Sequence, residues 1–544
     1  MRNSAWHHGT EAVSKRALFY RPWFFWAGTA AVFVGVIFSL PMFMQLAKIH
    51  YSVAGVPMRM MMWIGMFLNM AGVAATAYGL LPNKTGVPKN SAEDITNLIC
   101  SMDDAPLSIT HWKLLSVLLM ALIIDAMKPA TIGFVLPGMI FEYGITRQDA
   151  AILPFFALTG TVLGSVWWGI LGDRIGRRAT ILLAGVLFCS TCVCGAMPAF
   201  FWNVIMCFLM GIAAGGMLPI SFALLAETVP KKHRAWVAVL IGGVATVGGY
   251  AVVSSCAAFL EPYFGWRIMW LLGLPTGLLL IALNRYIPES PRFLANVGRL
   301  GESMLILRRF GVTLSPDRTG RKSDTSLGTT KADAKQLFCL PYLPITVGLA
   351  LYGLGWGLVN FGFLLWLPVR LRANGYGVAA SNLMLAESAL AALPAVIVSA
   401  WSCFAWGVRK SMILSGALTA AALAAFALRG SHIAAYPKLL MAMLAVVFMT
   451  SSAMIAIVVP YSAEVFPSLL RGTGTGLAAG SAKAGGVVAV TIAMVWAVPT
   501  QSVAAALGAV PIIMAAWWLY RHAIDTDGAR LEDLEKTLRD ASNE

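Results

Sequence analysis

The sequence predicts an all-α polytopic membrane protein of about fourteen spans, and three observations carry that reading. Of 544 residues, 58% are hydrophobic and only 12% charged, which leaves too little polar surface for a water-soluble globule. Apolar runs of the length that crosses a bilayer, ~20 residues, recur along the whole chain. Lys and Arg gather in the short connectors between those runs.

Two runs come first, near 23 to 47 and 60 to 81. The first follows Arg2, Lys15, Arg16 and Arg21; it is too long for a signal-peptide core and no small-residue cleavage pattern follows it, so it reads as a retained span. The second is Met-rich (Met58, Met60, Met61, Met62, Met66, Met70), which is adaptable packing material. Twelve runs follow, near 112 to 140, 152 to 171, 179 to 198, 204 to 226, 236 to 259, 268 to 287, 344 to 367, 381 to 404, 411 to 428, 439 to 460, 473 to 498 and 503 to 520.

Alternate connectors are basic: Arg174, Arg177 and Arg178; Lys231, Lys232 and Arg234; the stretch 288–341; Arg409 and Lys410; and Arg471. Short basic loops stay on the cytoplasmic side, so both termini are expected inside, in a plasma (bacterial inner) membrane. The expected organisation is an extension 1–111 with two spans, a six-helix bundle 112–287, a cytoplasmic linker 288–341, a second six-helix bundle 342–520 and a cytoplasmic tail 521–544. A net charge of +15 confined to connectors is no nucleic-acid face. In the linker it serves topology, with contact to anionic headgroups as the rival reading. Cys189, Cys192 and Cys194 lie mid-helix without a second ligand pair and read as packing.

Internal repetition supports two halves. Glu227, Pro230 and Arg234 recur as Glu464, Pro467 and Arg471 at a constant offset of 237 residues, each set at the end of the fourth span of its half. Parallel repeats of this kind build two-fold related carriers with a solute site between the halves. The connector Gly169-Ile-Leu-Gly172-Asp173-Arg174-Ile-Gly176-Arg177-Arg178 is short and charged. Its glycines allow close backbone approach and positive φ, Asp173 is suited to capping the following helix, and its arginines to pairing with acids at neighbouring helix ends.

On these residues the chain resembles the major facilitator superfamily, whose loop between its second and third helices has the form Gly, three residues, Asp, two residues, Gly, Arg, Lys or Arg. Further motifs are similar to the branch of sugar porters and proton-linked metabolite and aromatic-acid symporters: Glu227 to Ala235, Pro288-Glu289-Ser290-Pro291-Arg292, Tyr461 to Gly476, and a tail from Asp525 and Thr526 to Leu531 and Glu532. The resemblance spans roughly residues 112 to 535 and implies a major facilitator fold plus two extra helices. It also implies that Gly169, Asp173, Arg174, Gly176, Arg177 and Arg178, with Glu227, Arg234, Glu464 and Arg471, form a cytoplasmic gate. Two departures stand out. Cys207 occupies a place where similar proteins often carry arginine, and the second half keeps only a degenerate loop, Gly407, Arg409 and Lys410.

Ionisable groups inside spans cost roughly 2.5–3.5 kcal/mol each and usually face a cavity. Asp125 and Lys128, three apart, are expected on one face of the first core helix and able to pair. Asp125 reads as a protonation site set by burial and by Lys128, against a static ion pair. Lys128 and Lys483 suit an anionic solute, against structural pairing and, for Lys483, a lipid-facing snorkel. Asn360, beside Trp356 and Phe361, and Glu387 complete the expected substrate contacts. The glycine steps Gly160 to Gly164, Gly211 to Gly215 and Gly472 to Gly476 suit helix packing.

The expected function is proton-coupled symport of a small organic anion, a carboxylate such as an aromatic acid, by alternating access. Two rivals stand beside it: a sugar, polyol or drug transporter of the same fold, and a non-transporting scaffold or sensor that recruits a protein partner through the extra helices. No nucleotide loop, metal cluster or nucleophile motif points to an enzyme, and no cofactor is called for.

Overall fold

The computed structural model describes residues 21–41, 60–81, 105–297, 299–312, 334–373, 375–434, 436–467, 470–496 and 501–526. Its elements are helices: α1 (Pro22–Ile37), α2 (Met60–Leu80), α3 (Ile109–Tyr143), α4 (Arg147–Ile175), α5 (Arg177–Ala196), α6 (Phe200–Thr228), α7 (Lys231–Phe264), α8 (Ile268–Tyr286), α9 (Leu343–Arg372), α10 (Val378–Trp406), α11 (Val408–Leu428), α12 (Lys438–Val465), α13 (Arg471–Val495) and α14 (Ser502–His522). Among the described residues thirteen are long and apolar enough to cross a membrane, and α1, with 16 residues, is the shorter fourteenth. It rises about 24 Å; after a turn at Phe38 and Ser39 the backbone is helical again at Leu40 and Pro41, and the rest of the expected run, to residue 47, lies outside the described residues.

Helices α3 to α8 and α9 to α14 form two six-helix bundles. The second helix of each bundle lies along the fifth of the other, α4 against α13 and α10 against α7, as a two-fold related pair requires. Glycine sets how closely they approach. A Cβ on Gly160, Gly164, Gly211 or Gly215 would strike the facing backbone of α4 or α6, and one on Gly169 or Gly476 would strike Gly472 or Ser165 across the two halves. Each glycine step expected from the sequence to pack helices therefore does so.

The extra hairpin is built alike. Gly28 of α1 lies against Gly72 and Thr76 of α2, and Gly35 against Gly65. Val32, Val36 and Met62 bury against Val186, Cys189 and Cys192 of α5 and Ile281 of α8. The hairpin thus clads the outside of the first bundle, Trp63 meeting Trp202 of α6 edge to face (5.8 Å), and Trp23 and Phe67 are exposed, an apolar surface suited to lipid. The linker begins with two short helices, Pro291–Asn296, capped by Ser290, and Leu300–Arg309. Thr110 donates to the Arg309 carbonyl (3.0 Å), tying the second to the start of α3. The amino-terminal residues 1–20, the linker segment 313–333 and the tail beyond Thr526 lie outside the described residues.

Candidate functional site

A cavity of about 70 Å³ lies between the halves, lined from α3, α6 and α7 on one side and α9, α12 and α13 on the other. Two helix irregularities shape it. Pro129 in α3 deprives the Asp125 carbonyl of its helical N–H and loosens the helix at that acid. In α9, Asn360–Leu364 form a π turn in which the Leu365 N–H reaches the Asn360 carbonyl (3.0 Å); such wide turns often mark functional sites. Gly357 lets α9 touch the α13 backbone at Ala482, one residue before Lys483.

Lys483 is the cationic wall of the cavity. Its ammonium lies 5.5 Å from the Trp356 ring centre and 5.2 Å from that of Phe361, each contact worth about 0.5–2 kcal/mol. The two rings stand edge to face at 6.0 Å, and Trp356 is fixed by its indole N–H, which donates to the Ser451 carbonyl (2.9 Å). Asp125 lines the same cavity from the other half, and its charge and that of Lys483 act on each other. Among the described residues Asp125 Oδ1 has no hydrogen-bond partner. Asn360, Thr246, Ser451 and Ser452 add polar edges, and Tyr250 packs on Phe448 (4.7 Å) as a further aromatic wall.

The cation that shares the cavity with Asp125 is therefore Lys483 and not the expected Lys128. Lys128 is buried inside the first bundle, its ammonium 5.5 Å from the Phe188 ring of α5 and close against Gly273 of α8. Three helical residues turn the side chain by ~60°, which aims Lys128 into its own bundle while Asp125 faces the other. Lys128 does not line the cavity. Nor does Glu387, which is exposed on α10, whose Asn382, Leu385 and Ala386 face inward instead. Lys483 and Asn360 do line it, so Lys483 is no lipid-facing snorkel.

The loop residues form a second constellation at one end of the molecule. Glu227 Oε1 accepts from Arg177 Nη2 (2.9 Å) and from Arg471 Nη1 (3.0 Å), joining the first half to the second. Arg177 also pairs with Asp173 (3.1 Å). Asp173 caps a helix, but not the following one. Its carboxylate accepts the Gly472 N–H (3.2 Å), the Thr473 N–H (3.0 Å) and the Thr473 hydroxyl (3.0 Å) at the start of α13.

The start of α5 is occupied by Glu289, which accepts from the Arg177 N–H (2.7 Å) and Arg178 N–H (3.3 Å). An acid there is favoured by the helix dipole. Burial nonetheless pushes the Glu289 carboxyl above the usual carboxylate range, against the pull of these amides and of Arg177. Gly176 makes the turn at φ 106°, with no room for a Cβ beside Glu289. Arg178 binds Asn284 through Nε (3.0 Å). Arg234 and Glu464 are buried at the same end, Arg234 donating to the Val229 carbonyl (3.3 Å), whereas Arg174 is exposed at the end of α4. Glu289 had a sequence signal in its Pro-Glu-Ser-Pro-Arg motif. Tyr250 and Thr246, single polar groups in an apolar run, had none.

The family model of the Major Facilitator Superfamily matches residues 117–403. The niacin transporter NiaP of Acinetobacter baylyi is 26% identical over 404 residues, covering 72% of this chain and 89% of that protein. A gallate transporter of Pseudomonas putida is 29% identical over 289 residues, covering 51% and 62%. Among solved structures, the proton:xylose symporter XylE bound to 6-bromo-6-deoxy-D-glucose superposes with a TM-score of 0.67 at 20% identity, covering 80% of this chain and all of that one. The fold, the loop network and these likenesses converge: the chain is a membrane transporter, not an enzyme, and belongs to the Major Facilitator Superfamily.

Proposed function

We propose that the chain couples proton movement to transport of a small organic anion, with an aromatic carboxylate as the class the cavity suits. Lys483 carries this reading: a cation held among aromatic faces in a cavity that it shares with Asp125. A carboxylate pairs with the ammonium, the attached ring packs against Trp356, Phe361 and Tyr250, and Asn360 offers a hydrogen bond to its polar edge. Curated relatives named for niacin, benzoate, 4-hydroxybenzoate and gallate support the same class.

Charge balance supplies the coupling. With Lys483 charged and Asp125 ionised the cavity is neutral, and an entering carboxylate leaves it with one negative charge. Two like charges ~6 Å apart at an effective dielectric constant of about 20 repel by about 3 kcal/mol. A proton on Asp125 removes that repulsion, so one proton accompanies one anion. Basic connectors support an orientation with both termini in the cytoplasm of a plasma membrane, which makes the Asp173, Arg177, Glu227 and Arg471 network the cytoplasmic gate.

Uptake of labelled aromatic carboxylates into proteoliposomes under an imposed proton gradient tests this. Uptake is expected to require the gradient and to lose its dependence on it in Asp125→Asn. Uptake that survives both collapse of the gradient and Asp125→Asn, unchanged, would sink the mechanism.

A further inference from the structure

At the end opposite the loop network, α7 meets the other half through an acid. Glu261 lies 27 residues beyond Arg234 on α7, about 40 Å along the helix axis. It accepts from Arg372 Nη2 on both carboxylate oxygens (2.9 and 2.8 Å) and from Asn382 Nδ2 on Oε2 (3.1 Å). Arg372 ends α9 and Asn382 stands in the first turns of α10, so all three contacts cross between the halves. From the last turn of α7 through the connector that follows it, the charges are Glu261, inside α7, and Arg267, which is engaged within the first half with Glu142 (2.8 Å).

We infer that Glu261, Arg372 and Asn382 form an outer latch that holds the cavity shut on the side away from the Asp173 and Glu227 network. The two networks sit at opposite ends of α7 with the cavity between them, so this structure is latched at both ends. Alternating access requires each latch to break in turn.

The chemistry of the outer one suits a contact that must break. A buried ion pair returns little net stability because desolvation offsets its attraction. Among the described residues Arg372 Nε and Asn382 Oδ1 are also left without partners in the closed arrangement, which weakens it further. Glu261 acts through its partners on access to the cavity, and so is a positioning residue rather than a ligand for the solute.

Cysteine accessibility tests the latch in the full chain. A reporter Ala130→Cys in the cavity wall is labelled with a membrane-impermeant maleimide from the outer face of right-side-out vesicles and from the inner face of inverted ones, each corrected by the chain without the reporter. Glu261→Gln and Arg372→Gln are each expected to raise the outer labelling rate on the order of tenfold, the population shift that loss of one partly buried ion pair supports. Inner labelling should stay unchanged or fall. The charge-exchanged pair Glu261→Arg with Arg372→Glu is expected to return outer labelling toward the parent rate. Unchanged outer labelling in folded Glu261→Gln and Arg372→Gln would overturn the inference, as would an equal rise from both faces, which marks general loosening. Should Glu261→Gln not fold, Glu261→Asp, which keeps the charge on a shorter arm, is read by the same criterion.

Discussion

Replacing Glu227 by Gln removes one charge and almost no volume from the point where the halves meet. The carboxylate binds Arg177 and Arg471 through the same oxygen at 2.9 and 3.0 Å. The amide keeps that acceptor, and Arg177 keeps Asp173 at 3.1 Å, so the main loss falls on Arg471. Arg471 is buried with the charges of Arg177, Arg234 and Arg292 acting on it.

Removing one partner of a buried pair costs about 3–5 kcal/mol. The retained contacts point to the lower figure, ~3 kcal/mol, or roughly 150-fold in the ratio of closed to open inner ends. The readout is hydrogen exchange at Gly472 and Thr473, whose N–H groups are held by Asp173 across the interface. Their exchange should accelerate by up to about 100-fold, while amides on the α4 and α6 seam around Gly164 and Gly211 stay protected. Unchanged exchange at Gly472 and Thr473 in a folded variant would refute the reasoning. So would uniform acceleration across both sites, since that is loss of the fold and not opening of a gate.

Two further outcomes follow from the same geometry. Lys483→Gln should raise the KM for an aromatic carboxylate about 30-fold, ~2 kcal/mol from the lost charge and ring contacts, while Lys128→Gln should leave it within about twofold because Lys128 faces its own bundle; initial uptake rates against concentration decide this. Gly176→Ala should lower the thermal midpoint of the purified chain by an amount equivalent to ~2 kcal/mol or more, since φ 106° and the Glu289 carboxylate both oppose a Cβ; an unchanged midpoint contradicts that account of the turn.

The sequence revealed what is local and periodic. Apolar runs fix their own length, so the spans were legible, the end of the first lying outside the described residues. Loop and repeat were legible for the same reason, since the spacing of Glu227, Pro230 and Arg234 is local to one helix end. What escaped was which groups come together only after folding. Asp125 and Lys483 stand 358 positions apart in the chain, and nothing along it says that α3 and α13 share a cavity, whereas Lys128 lay temptingly near. Capping failed in the same way. Asp173 had a suitable helix start within reach, but Glu289, 112 residues beyond Arg177, takes that place, and Asp173 is left to hold the other half. The outer contacts of Glu261 with Arg372 and Asn382 were equally invisible, for they join the ends of helices more than a hundred residues apart in the chain.

The central claim is that Asp125 and Lys483 balance charge so that one proton enters with each anion. Simultaneous measurement of proton influx, by a pH dye trapped in proteoliposomes, and of labelled anion influx in the same vesicles tests it most directly. The account predicts a ratio near one that falls toward zero in Asp125→Asn; anion influx with no accompanying proton in the unaltered chain would contradict it.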